Sequence, residues 1–129
     1  SSDLDPIVRQ QLAELHILTH VNQLNVLRAR SGQNLTGVEG NLAKMLLCHT
    51  LRRARDIGSS LLGPQGALWG PDADTGGTVQ EMTVYSPGPS IYGGTDQIQR
   101  NIVGERGLGL PKEPGDFKNT AFKDLAKNG

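Results

Sequence analysis

Two long stretches of helically spaced apolar residues, separated by a short polar break, fix most of what this chain can fold into. The first begins near Asp5-Pro6, where proline suits the opening helical turn, and runs to about Arg30. Leu12, Leu15, Leu18 and Val21 form one apolar stripe on it, and Ile17, Leu24 and Leu27 widen that stripe. This helix is expected to be buried on more than one side. Ser31-Gly32-Gln33-Asn34 breaks it, and a second helix follows from about Gly37 to Leu62, with Leu42, Met45, Leu46, Ala54, Ile57 and Leu61 as its expected core.

Beyond Leu62 the pattern shortens. Gly63 to Gly77 is rich in glycine, proline and aspartate and reads as a loop, and Thr78 to about Tyr85 reads as a short helix. Pro87 and Pro89 flank a glycine, so the chain must kink there. Asp96 to Arg106 predicts a last helix, with Ile98, Ile102 and Val103 inward and Gly107 ending it. The tail from Lys112 is polar and expected to be mobile, with Phe117, Phe122 and Leu125 able to dock. There is no internal repeat and little sign of strand. The expected class is all-α: an antiparallel helical bundle of two long helices plus two short ones, with a polar C-terminal tail.

Before the last helix stands the most informative local feature, Gly93-Gly94-Thr95-Asp96. Adjacent glycines let backbone approach a ligand, Thr95 is suited to cap the helix, and Asp96 places a carboxylate in its first turn. Backbone N–H groups at such a terminus are unsatisfied and, with the helix dipole, favour a phosphate or another anion. The plainer reading of the same residues is a loop followed by a capped helix.

Other clusters carry less. His16 and His20 have an i, i+4 spacing, and Cys48 and His49 lie on the next helix, but no carboxylate follows His16 as in a zinc hydrolase, so no metal site is assigned. Asp72-Ala73-Asp74-Thr75-Gly76-Gly77 opens like a calcium loop, lacks its third oxygen ligand, and puts Thr83 where a bidentate glutamate belongs. Gly104, Gly107 and Gly109 follow no strand and are not a dinucleotide fingerprint. Cys48 reads as a small buried hydrophobe.

With 13 basic and 13 acidic residues, the chain has no charge excess to capture nucleic acid or anionic lipid. One cysteine excludes an internal disulfide framework and suits a reducing cytoplasm. No apolar run approaches the roughly 20 residues that span a bilayer, and the polar start has no signal-peptide character. The expected location is cytoplasmic, without membrane or nucleic-acid partners.

The run Ile91-Tyr92-Gly93-Gly94-Thr95-Asp96-Gln97-Ile98-Gln99-Arg100 resembles the C-terminal signature of the acyl-CoA dehydrogenases, flavoenzymes that desaturate acyl-CoA thioesters. The family pattern is Ile-Tyr-(Glu or Gly)-Gly-Thr-x-x-Ile-Gln-Arg, followed by a short amphipathic helix. Gly107-Leu108-Gly109-Leu110-Pro111-Lys112-Glu113-Pro114 is similar to actinobacterial members. Asp5 to Ala13 and Gly37 to Leu62 are similar to successive long helices of the family's C-terminal domain. The resemblance divides the chain into such a domain, residues 1–111, truncated at its N-terminal side, and a polar tail, residues 112–129. Whole enzymes of the family also carry an N-terminal helical domain and a middle β-domain.

The resemblance implies roles for particular residues. In many members a glutamate base directly precedes the Gly-Thr pair; Gly93 occupies that position here, so no catalytic residue is assigned. In other members the base lies on an earlier helix, which would precede Ser1. Either the parent enzyme holds its base there, or the parent is a base-less subunit of a hetero-oligomer. Gly94 is expected along the acyl-CoA substrate, and Thr95, Asp96 and Gln97 against FAD; Arg100 is expected to hold its helix in place. A second flavin segment, Gln-x-x-Gly-Gly in the family, corresponds to Ser60-Leu61-Leu62-Gly63-Pro64 and adds Leu62 and Gly63 as FAD contacts. Ser60 is shorter than glutamine, Pro64 lacks an N–H, and the family's Arg-x-x-Phe-Gly clamp is absent, so weak or no FAD binding is expected of this polypeptide alone. The implied function is that of the C-terminal domain of an FAD-dependent acyl-CoA dehydrogenase, inactive by itself and assembling as a homo- or hetero-oligomer. The competing expectations are a helical oligomerisation module or non-catalytic subunit, and an unrelated helical binding protein.

Overall fold

The computed structural model describes residues 5–33, 35–70, 72–112 and 121–124. Two long helices dominate it: α1, Pro6–Ser31, and α2, Glu39–Leu62. Asp5 caps α1 by accepting the Ile7 N–H at 2.7 Å, and Pro6 sits in the first turn, where its missing N–H goes unused. Gly32, at φ 69°, ends the helix in the left-handed conformation that glycine adopts without strain.

The second helix starts at Glu39 rather than Gly37, because Glu39 itself organises the entry. Its carboxylate accepts the Thr36 N–H at 2.5 Å, the Thr36 hydroxyl at 2.8 Å and the Gly37 N–H at 3.0 Å. These donors, the Thr36 N–H foremost, lower the pKa of Glu39 from 4.5 to about 2. Glu14 pairs with Arg53 and Arg28 with Glu39 at 3.6 Å, so positions rise along α1 as they fall along α2. The pair is antiparallel, as expected.

Burial differs from the sequence expectation. No described residue of α1 is buried; Leu15, Leu18 and Val26 are half-buried, while Ile17, Leu24 and Leu27 face outward. The wide apolar stripe exceeds what one neighbour can cover, because α1 packs on α2 alone among the long elements. On α2, Ile57 is buried and Leu42, Met45, Leu46 and Ala54 are half-buried, but Leu61 is 51% exposed near the helix end. The buried apolar residues among those described are Val38, Cys48, Ile57 and Ala73.

The segment after α2 is a loop with 3-10 turns at Gly63–Ala67 and Asp74–Gly77, leading into α3, Thr78–Tyr85. A further 3-10 turn, Gly88–Ser90, takes up the kink at the two prolines. Then come α4, Asp96–Ile102, and a π-helical turn, Val103–Gly107. Across α4 and the start of the π-helical turn, Ile102 and Val103 are half-buried as expected, but Ile98 is 49% exposed and Gln99 points inward in its place. All regular elements among the described residues are helical, and none is long and apolar enough to cross a membrane. Of the tail, Phe117, Leu125 and the side chain of Phe122 lie outside the described residues.

Glu39 and Gly107 generate separate stability predictions. Because its folded pKa is depressed, Glu39 contributes stability that is complete above about pH 4.5 and is lost as pH falls toward about 2. Glu39→Gln should therefore be less stable at neutral pH and show a shallower loss of Tm in acid; an unchanged acid profile in thermal unfolding would discount the carboxylate. At Gly107, a Cβ would lie 2.8 Å from the Cγ2 of buried Val38. Gly107→Ala should destabilise by about 1–2 kcal/mol, since overpacking outweighs the helix-propensity gain of about 0.5–1 kcal/mol. Gly40→Ala, with open space around the added methyl, should instead be neutral or stabilising in the same denaturant titrations.

Candidate functional site

One face of α2 is polar at helical spacing: Asn41, Lys44, Cys48, Arg52 and Arg55 follow one another at intervals of three or four residues. The chain from Ser86 to Gln99 lies along this face, and the stripe donates five hydrogen bonds to it. Arg55 donates to the hydroxyl of fully buried Ser86 at 3.3 Å. Arg52 donates to the Ser90 hydroxyl and, at 3.0 Å, to Asp96 Oδ2. Lys44 donates to the Gly94 carbonyl, and Asn41 donates to Gln99 Oε1 at 2.6 Å. Cys48, in the middle, is wholly buried.

Gln99 completes the arrangement from α4. It is 5% exposed, and its Nε2 donates to the Gly93 carbonyl at 2.8 Å and reaches the Gly94 carbonyl at 3.5 Å. Both glycines of the turn have positive φ, 66° at Gly93 and 86° at Gly94. A Cβ on Gly94 would stand 2.9 Å from Gln99 Nε2, so a side chain there would displace the amide that holds the turn. A glutamate at position 93 would meet a left-handed backbone and the Lys44 side chain, whose Cε lies 3.9 Å from the Cβ position.

Thr95 caps α4 through its hydroxyl, which accepts the Ile98 N–H at 3.3 Å. The carboxylate of Asp96 is 13% exposed. Burial disfavours its charge, but the Arg52 guanidinium, the Ser90 hydroxyl and the Cys48 thiol outweigh that effect and hold the carboxyl below its ordinary range. Its Oδ1 is buried without a hydrogen-bond partner among the described residues. Gln97 is exposed on the first turn of α4, beside neither Arg52 nor Lys44 in the hydrogen-bonding pattern.

The structure thus gathers Gly93, Gly94, Thr95, Asp96 and Gln97 into one capped turn, but leaves Leu62 and Gly63 elsewhere. Leu62 ends α2 ten residues beyond Arg52, roughly 15 Å along the axis. Gly63 is its exposed C-cap, and Ser60 is exposed as well. Arg100 is exposed and lines, with Asn25, His49, Arg52 and Asp96, an open groove of about 370 Å³ between α1, α2 and α4. His16 and His20 stack on the outer face of α1 with ring centroids 6.2 Å apart, and no third metal-ligating residue joins them among the described residues.

Asn41, Lys44, Arg52 and Gln99 were missed by an apolar-spacing reading. The signal was present in the three-and-four spacing of polar residues on α2 and in Gln99 standing four residues after the capping Thr95. Arg52→Met should cost about 2–3 kcal/mol by leaving Asp96 buried and unpaired. It should also raise the Asp96 pKa, because burial is then opposed only by the Ser90 hydroxyl and the Cys48 thiol; an NMR titration showing no rise would remove Arg52 as its counter-ion.

The profile described as acyl-CoA dehydrogenase, C-terminal domain, matches residues 4–108. The acyl-CoA dehydrogenase IpdE1 of Mycobacterium tuberculosis is 30% identical over 118 residues, covering 84% of this chain and 28% of the relative. The IpdE1 of Mycolicibacterium smegmatis is 30% identical over 114 residues, covering 84% of this chain and 27% of the relative. No solved structure matches the chain. It spans little more than a quarter of the length of these curated relatives, both actinobacterial as the Gly107–Pro114 ending implied. With the profile covering most of its length and the signature turn folded against α2, the chain belongs to the acyl-CoA dehydrogenase family, whose C-terminal domain it carries.

Proposed function

We propose that residues 1–111 are the C-terminal helical domain of a flavin-dependent acyl-CoA dehydrogenase that acts in the cytoplasm. In this reading the domain supplies one wall of the FAD and acyl-CoA site and is inactive by itself. The observation that carries the reading is the Gly93-Gly94-Thr95 turn: both glycine carbonyls are drawn toward α2 and α4, leaving the opposite side of the turn open to a ligand. Thr95 and Gln97 would hold the flavin from that side, with Asp96, whose carboxylate is turned to Arg52, contributing its backbone, and Gly94 would run along the acyl chain. FAD, when bound, supplies the hydride acceptor.

The donor set fits the cofactor in part. The turn offers unengaged amides and a threonine cap, which suit phosphate or carbonyl oxygens. Leu62 and Gly63 stand too far along α2 to join the same contact, and Pro64 offers no N–H, so any flavin contact there is separate. This supports weak binding by the isolated chain.

A second reading, that of an assembly element or a base-less subunit in a hetero-oligomer, draws on two observations. Ile17, Leu24 and Leu27 leave an uncovered apolar face along α1. Gly93 has φ 66°, a backbone poorly suited to a glutamate base at that position.

The deciding measurement is the visible absorption of the purified chain after loading with FAD and removal of the excess, with molar mass by light scattering on the same sample. Retained flavin that is lost in Thr95→Val and Gly94→Ala would establish the turn as a cofactor site. A colourless oligomer would favour the assembly reading. A colourless monomer would confine the flavin reading to the full-length enzyme.

A further inference from the structure

Trans peptide geometry fixes what the inward carbonyls do to their partners. In a trans peptide the C=O and the N–H of the same unit point in opposite directions, and the described chain contains no cis bond. The Gly93 carbonyl shares its peptide with the Gly94 N–H, and the Gly94 carbonyl with the Thr95 N–H. Both carbonyls are bonded on the α2 and α4 side, by Gln99 and by Lys44. The two N–H groups therefore face away from the protein interior, and among the described residues neither has an acceptor.

We propose that Gln99 is the positioning residue of this turn, with Asn41 fixing its amide and Lys44 assisting: by holding the glycine carbonyls inward it aims the Gly94 and Thr95 N–H groups at the acceptor oxygens of a bound ligand. Several observations converge on Gln99. Asn41 donates to Oε1 at 2.6 Å, which turns the NH₂ end of the side chain toward the glycines. The side chain is almost wholly buried, so the amide competes with little water. At Gly94, the lack of a Cβ leaves room for Nε2. Two glycines alone visit many backbone conformations, and without these bonds the turn has no reason to hold one peptide orientation. The ligand side of this inference rests on the flavin-site reading, whereas the orientation of the turn does not.

A carboxyl in place of the amide tests it. Protonated, Gln99→Glu can still donate to the Gly93 carbonyl while accepting from Asn41; ionised, it presents only acceptors and repels both carbonyls. Burial raises the pKa of such a group, whereas the Asn41 N–H and the Lys44 ammonium, which shares the Gly94 carbonyl with residue 99, lower it, so the titration is followed from about pH 3 to about pH 9. In amide NMR spectra of the isotope-labelled chain, the Gly94 and Thr95 resonances of Gln99→Glu should match wild type at the acid end and move away together at the alkaline end. Helix resonances remote from the turn should stay in place. Resonances that are displaced equally at every pH, or that do not move at all, overturn the proposal, because a residue that merely fills space would not couple the turn to this titration.

Lys44→Met provides a second test that leaves the buried amide intact. It should shift the Thr95 amide resonance more than that of Gly94, since the Gly94 carbonyl loses its main donor while Gln99 keeps the Gly93 carbonyl, and equal shifts at both amides would refute the assignment of Lys44. Neither readout needs flavin. If the amides respond as expected while no FAD is retained, positioning stands and the cofactor reading fails; if flavin is retained but the amides ignore the titration, the reverse holds.

Discussion

The polar face of α2 is the constraint on which the rest of the structure depends. Asn41, Lys44, Arg52 and Arg55 each reach a different point on the chain between Ser86 and Gln99 and bond to it. That segment has little regular structure of its own and buries little apolar surface. Its carbonyls, hydroxyls and carboxylate need donors as they leave water, and the stripe provides several of them. An apolar face would have left the Gly94 carbonyl without its Lys44 donor and the Asp96 carboxylate without a counter-ion.

The same arrangement explains why the turn has its particular shape. The Asp96–Arg52 pair fixes the start of α4, and Thr95 closes its first turn. Between these anchors, the adjacent positive φ values at Gly93 and Gly94 bring the backbone round within reach of Gln99. Family membership gives the turn its context, but the orientation of its peptides is a consequence of hydrogen bonding inside this domain.

Elsewhere the domain is thinly covered. The outer face of α1 carries isoleucine, leucine and valine side chains in solvent, and Trp69, Val84, Ile91 and Leu108 are exposed as well. Exposed apolar faces of this kind are able to bury against further surface, and the helices described supply none for them. The pairing of α1 with α2 therefore leans on the Glu14–Arg53 and Arg28–Glu39 contacts at its two ends as well as on half-buried leucines between them.

The sequence by itself determined the helices, their order and the capped turn. Apolar spacing, Pro6, the Gly32 break and the Gly-Gly-Thr signature are local properties, and local rules govern where helices begin and end. The signature also identified the family, from one contiguous run of residues. Which faces are buried was decided by tertiary structure alone. Apolar periodicity marks a face able to be buried, but α1 meets only one neighbour, so Leu24 and Leu27 stay in solvent. Ile98 and Gln99 are adjacent in α4, and hydrophobicity favours the first; the unpaired glycine carbonyls and the Asn41 amide choose the second. That choice joins residues 58 positions apart, and no local pattern encodes such a pairing, because its energy exists only once α2 and the turn have come together.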